Sequence, residues 1–138
     1  MHKIPFNRAD IGSQDLALLS ESISNGHISG NGPFTKQAEA EISRVIRSHK
    51  TLLTTSCTHA LEMSALLLNL RAGDEVIVPA FTFVSTASAF MLYGAKPVFV
   101  DVRHDTLNIN PEAVEAAITE RTRAICVVHY GGVACEME

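Results

Sequence analysis

The chain has 138 residues, 46% hydrophobic and 19% charged, with 8 Gly and 5 Pro, a balance that excludes disordered and fibrous proteins and suits a globular core of modest size. Eleven Lys+Arg against fifteen Asp+Glu give a formal charge of -4, and with no basic run to neutralise phosphates, nucleic acid is not an expected partner. No stretch approaches the roughly 18 apolar residues of a bilayer span, and the start MHKIPFNRADIGSQ lacks the apolar centre of a secretion signal. No membrane partner is expected, and the location is read as cytoplasmic; Cys57, Cys126 and Cys135, odd in number and far apart, suit reduced thiols there.

In chain order, Leu16, Leu19 and Ile23 recur at helical spacing and are closed by Asn25-Gly26, a pair that tolerates the left-handed turn of a helix end. After Gly30-Asn31-Gly32-Pro33, the positions Phe34, Ala38, Ile42, Val45 and Ile46 share one helical face, opposite Lys36, Glu39 and Arg44. The glycines there do not make a dinucleotide loop, because no strand precedes them and the third glycine is absent.

Leu52 to Thr55 reads as a short buried strand, and Ser56 as the N-cap of a helix from Cys57 to about Leu70. Apolar residues cover most of that helix, so packing on more than one side is expected. Val76-Ile77-Val78 is a strand of the kind covered on both faces. Thr82 to Tyr93 is a helix ending at Gly94, and Val98-Phe99-Val100 a further strand. Asn110-Pro111-Glu112 supplies the cap, proline and early acid of another helix, with Val114, Ala117 and Ile118 inward; Ala124 to Val128 is the last strand. Strands separated by helices imply crossovers and a mostly parallel sheet flanked by helices, an α/β fold.

Ligands in such sheets bind beyond the carboxyl ends of the strands, which singles out Ser56-Cys57-Thr58, Pro79 to Phe83, Asp101 and His129 to Gly132. The first group stands where free N–H groups and the helix dipole attract phosphate, although a simple helix cap explains the same residues. Phe81-Thr82-Phe83 offers a ring to stack on a planar ligand, or ordinary core packing. Cys57 reads as a small buried residue beside the cap, with a thiol nucleophile activated by the helix N-terminus as the alternative. Asp101 reads as a structural residue bonding backbone amides at a turn. Cys126 and His129, three apart on the expected strand, face opposite sides and do not make a metal site.

The stretch LLTTSCTHALEMSALLLNLRAGDEVIVPAFTFVSTASAFMLYGAKPVFVDV, then VVHYGGVACE, and the N-terminal IPFN and SGNGPFT resemble the DegT/StrS sugar aminotransferases, pyridoxal-phosphate enzymes of the aspartate-aminotransferase (type I) fold. The resemblance implies the N-terminal part of that fold's large domain: a helical segment over residues 1–50 and a partial cofactor-binding α/β domain over 51–138. It implies cofactor contacts from Ser56, the Cys57 backbone, the Thr58 side chain and Phe83, with His129 at the rim; the family often has Gly or Ala at the position of Cys57. The implied reaction moves an amino group from glutamate to a dTDP-4-keto-6-deoxy sugar for surface polysaccharide, in a homo-oligomeric enzyme.

The family's cofactor-attaching lysine and the aspartate that pairs with the pyridine nitrogen lie further along than Glu138. Lys3, Lys36, Lys50 and Lys96 do not match that lysine. The chain is therefore expected to be an N-terminal portion, inactive in transamination by itself. A dehydratase of the same family, or a non-catalytic fragment that assembles with its own copies, are the alternative readings.

Overall fold

The structure is a computed structural model and describes residues 3–5 and 7–137; Phe6 of the IPFN stretch and Glu138 lie outside the described residues. The chain divides into two compact units, residues 1–53 and 54–138.

The first unit carries α1 (Ser13–Ser24) and α2 (Pro33–Ile46). The carboxylate of Asp15 accepts the N–H of Gly12 at 2.8 Å to start α1, while Pro33, whose missing N–H costs nothing in a first turn, starts α2. Neither helix buries a residue; Leu16, Leu19 and Ile23 are exposed, as are Val45 and Ile46. The expected strand from Leu52 to Thr55 is not formed. The N–H of Leu53 goes instead to the carboxylate of Glu39 at 3.2 Å, and Thr51 accepts from the Ser43 hydroxyl at 2.7 Å, so side chains of α2 take up groups that a strand neighbour would have used.

The second unit is a three-stranded parallel sheet in the order β2-β1-β3, formed by β1 (Glu75–Pro79), β2 (Lys96–Val100) and β3 (Thr122–Ile125). All five residues of β1 are buried. Their alternation divides the core. Val76 and Val78 face a cluster with Ala65, Ala87 and Phe90, from α3 (Cys57–Leu67) and α4 (Ser85–Met91); Ile77 faces Ile109 and Cys135, backed by Val114 and Ala117 of α5 (Pro111–Ala117). Helices thus cover both faces of the sheet.

Several elements are shorter than their sequence patterns. α3 stops at Leu67 because Asn69 takes the left-handed conformation at φ 52°, its N–H bonding the Leu66 carbonyl at 3.0 Å. Its Leu66 and Leu67 are exposed, against the expectation of packing on several sides. α4 begins at Ser85 rather than Thr82, whose hydroxyl bonds that of Thr86 at 2.8 Å in a turn before the helix. β3 ends at Ile125, so Cys126 and His129 lie beyond it; the Cys126 N–H still reaches the Ile77 carbonyl at 2.8 Å.

At the amino end of β1, the carboxylate of Glu75, 3% exposed, accepts from the Thr119 hydroxyl at 2.7 Å and from the Arg121 guanidinium at 2.8 Å. These donors, Thr119 first, hold its carboxyl below the ordinary range. Near the other end of the chain, Arg103 pairs with Asp105 and Glu136, and its hydrogen bonds bring the Asp105 carboxyl down to about 2.

Candidate cofactor site

Because the three strands are parallel, their carboxyl ends open on one edge, and a cavity of about 440 Å³ lies there. The first turn of α3 supplies Cys57, Thr58 and Leu61; the loop after β1 and the start of α4 supply Thr82, Phe83, Ser85 and Thr86; the segment after β3 supplies Cys126 to Val128 and Tyr130.

The anion-binding capacity comes from the start of α3. Ser56 is its N-cap, its hydroxyl oxygen accepting the His59 N–H at 3.1 Å, and the Ala60 N–H bonds the Ser56 carbonyl at 3.1 Å. The two preceding N–H groups, of Cys57 and Thr58, have no acceptor within the helix by virtue of position. They stand at the positive end of the helix dipole beside the Thr58 hydroxyl. The Thr55 hydroxyl and His59 Nδ1 meet at 2.5 Å and brace the turn from outside.

The ring-binding capacity comes from aromatic residues. Phe83 is 73% exposed although it lines the cavity, which removes the core-packing explanation for it. Phe81 lies against Tyr130 with ring centroids 4.7 Å apart and planes tilted by 41°. Tyr130 is held from behind by Asn108, 3% exposed, whose Oδ1 accepts the Tyr130 N–H at 3.0 Å while its Nδ2 donates to the carbonyls of Val133 and Ala134, each at 3.0 Å.

Of the residues singled out in the sequence, Cys57, Thr58 and Phe83 share the cavity wall; Ser56 and His129 do not. Ser56 acts one step back, as the cap that leaves the next two N–H groups free. His129 is exposed, and its Nδ1 accepts the Cys135 N–H at 3.0 Å, fixing the turn that carries Tyr130. Cys57 is exposed rather than buried, since it begins the helix on the cavity side. Asp101 bonds the Asn110 N–H through its backbone carbonyl at 3.0 Å, not through its carboxylate, which leaves its side chain free of the turn-making role expected of it.

Two further residues shape the site, Tyr130 and Asn108. Tyr130 stood among the rim residues without a role, and its tandem glycines, both at positive φ, were the signal that the chain turns back toward the cavity there. Asn108 gave no signal, because an Asn in a polar loop looks the same whether its amide is solvated or saturated.

A phosphate-bearing pyridine fits this wall. Two free N–H groups, a hydroxyl and a helix dipole suit the phosphate, and Phe83 and Tyr130 suit the ring; among the described residues neither a carboxylate that would repel the anion nor a lysine lines the cavity. Lys96 begins β2, at the opposite end of the sheet, and Lys36 and Lys50 belong to the first unit. Among the described residues, no group of three or more His, Cys, Asp or Glu side chains could hold a metal ion, and no helix is long and apolar enough to cross a membrane.

Comparison with known proteins gives concordant findings. The chain is 36% identical to Spr1654 of Streptococcus pneumoniae, described as a sugar aminotransferase and solved in PLP, PMP and apo forms, with a TM-score of 0.87 over 98% of this chain and 34% of that one. An aminotransferase from Psychrobacter cryohalolentis is 32% identical, with a TM-score of 0.88 over 95% of this chain and 34% of its own. A DegT/DnrJ/EryC1/StrS aminotransferase from Brucella abortus is 33% identical, with a TM-score of 0.82 over 88% and 34%. The chain spans about a third of the length of these structures. These relatives carry the type I fold of pyridoxal-phosphate aminotransferases, and the parallel sheet between helices is part of it. Residues 9–138 match the DegT/DnrJ/EryC1/StrS aminotransferase family, and the chain belongs to that family.

Proposed function

We propose that residues 51–138 form the phosphate cradle and ring wall of a pyridoxal-phosphate sugar aminotransferase that acts on a nucleotide-linked 4-keto-6-deoxy sugar with glutamate as donor. The cavity at the carboxyl ends of β1 and β3 carries this reading, since it combines free N–H groups on α3 with an exposed aromatic ring. The cofactor, when bound, supplies the electron sink for moving an amino group.

Each residue has a separate task in this reading. Ser56 holds the first turn of α3 so that the N–H groups of Cys57 and Thr58 point at a phosphate, and the Thr58 hydroxyl donates a third hydrogen bond. Phe83, exposed on the cavity wall, would stack on the cofactor ring and shield it from water. Tyr130, fixed by Asn108 and His129, lines the cavity from the segment after β3. Among the described residues no lysine lines the cavity, and Lys96 stands at the opposite end of the sheet, so the residues of this wall bind and orient but do not transfer a group. The enzyme so formed is read as a cytoplasmic homo-oligomer serving surface-polysaccharide synthesis.

The test is an assay of the open reading frame that contains this chain, expressed in full with pyridoxal phosphate, dTDP-4-keto-6-deoxyglucose and glutamate. Formation of the 4-amino sugar together with 2-oxoglutarate is expected. Cofactor binding without amine product would contradict the assigned substrate. The 138-residue chain by itself is expected to turn over no amino donor; turnover, with a borohydride-fixed adduct on one of its lysines, would contradict the division of tasks.

A further inference from the structure

All three cysteines are free thiols, and two of them open on the same cavity. Cys57 is exposed at the start of α3, while Cys126, just past the end of β3, is half-buried. Cys57 and Leu61 are four residues apart on α3 and therefore stand on one face, about 5–6 Å apart at their Cβ atoms. Leu61 packs on the same cluster as Cys126. Cys57, Leu61 and Cys126 thus line one cavity of about 440 Å³. Cys135 belongs to the cluster on the other face of the sheet, where its thiol donates to the Val128 carbonyl at 3.3 Å. The sheet separates it from the pair.

The two cavity thiols differ in environment. Burial first, and the nearby Cys57 sulfur second, push the Cys126 thiol up. An electrophile arriving from solvent therefore meets the exposed Cys57 first, and the half-buried Cys126 is the second partner, an arrangement of attacking and resolving thiols.

We propose that Cys57 and Cys126 are a redox-active pair that closes to a disulfide across the anion-binding end of the cavity on meeting a small disulfide oxidant such as glutathione disulfide. The Cys57 thiolate attacks one sulfur of the oxidant, forming a mixed disulfide and releasing one glutathione thiolate. The Cys126 thiolate then attacks the Cys57 sulfur and releases the second. Two protein thiols are oxidised, one glutathione disulfide is reduced to two glutathione thiols, and the two protons leave with them. The bond ties the first residue of α3 to the exit of β3, in front of the Cys57 and Thr58 N–H groups, so the closed form no longer admits a phosphate. That last consequence rests on the cradle proposed above, whereas formation of the disulfide does not.

The 138-residue chain is treated with glutathione disulfide, its remaining thiols are alkylated, and its peptides are mapped by mass. The expected product is one peptide pair joined through Cys57 and Cys126, two hydrogens lighter than its reduced form, with Cys135 alkylated only after denaturation. In Cys126→Ala the mixed disulfide on Cys57 is expected to persist. Wild-type chain that retains all three thiols, stops at glutathione on Cys57, or joins either cysteine to Cys135 would overturn the proposal. Inorganic phosphate, titrated against the oxidised and reduced chains by phosphorus NMR, separates the two claims. Binding by the reduced chain alone is expected; binding by neither form, with the disulfide present, contradicts the cradle and leaves the pair standing.

Discussion

The two ends of β1 solve opposite problems. At the amino end, Glu75 is buried and fully engaged, its two oxygens taken by Thr119 and Arg121. At the carboxyl end the chain passes into a loop that leaves Phe83 exposed, beside a helix start whose first N–H groups have no helical acceptor. One end uses its polar chemistry to hold the fold, and the other leaves it open at the cavity proposed above as the cofactor site. Substitutions at the saturated end and in the strand should therefore move stability, while those at the open end should move binding.

The largest effect is expected at the centre of the strand. Ile77→Ala empties a fully buried position between the flanking strands and should lower stability by roughly 2–5 kcal/mol, read as a fall in the urea midpoint. Asn108→Ala comes next. It strands the Tyr130 N–H and two carbonyls, for a loss of roughly 1–3 kcal/mol in the same measurement, together with weaker cofactor binding as Tyr130 loses its support.

Glu75 has a distinctive pH signature. Its folded carboxyl titrates below the ordinary 4.5, so the stability it contributes is present above the unfolded value and is lost as pH falls through the folded one. Urea midpoints measured from neutral pH downward should drop along an acid limb that Glu75→Gln flattens, while phosphate affinity at neutral pH stays the same. An unchanged acid limb would show that the amino end of β1 is not the saturated end described here.

Smaller changes sharpen the other side. Ser56→Ala removes the cap that positions the Cys57 and Thr58 N–H groups and should cost about 1 kcal/mol of stability with a measurable loss of phosphate affinity. Phe83→Ala, at an exposed position, should leave stability within about 0.5 kcal/mol. The same variant should weaken binding of pyridoxal phosphate by about tenfold, the upper range for an aromatic stack of roughly 0.5–1.5 kcal/mol.

The sequence disclosed the parts governed by short-range rules. The caps at Ser56 and Asn110 form as their side chains dictate, with Asn110 accepting the Glu112 N–H at 3.0 Å. The apolar run at Val76 to Val78 is a strand covered on both faces. The parts that depend on distant partners were hidden. Leu52 to Thr55 has strand composition, yet no neighbour in the sheet pairs with it, and Glu39 claims the Leu53 N–H. The apolar residues around α3 predicted packing on more than one side, yet Leu66 and Leu67 are exposed. That Thr58 and Phe83 line the cavity was legible, because a helix start and an aromatic after a strand are local patterns. The placement of His129 behind the wall rather than on it depends on a bond to Cys135 across a loop, which spacing alone does not reveal.

The central claim is that the start of α3 and Phe83 together receive a phosphate-bearing pyridine, and amide NMR of the 138-residue chain tests it most directly. Pyridoxal phosphate and pyridoxal are titrated in parallel. The account predicts that the Cys57 and Thr58 amides shift with pyridoxal phosphate and stay in place with pyridoxal, whose ring moves only the resonances around Phe83 and Tyr130. Shifts confined to the neighbourhoods of Lys36, Lys50 and Lys96, with Cys57 and Thr58 unmoved by either ligand, would contradict it.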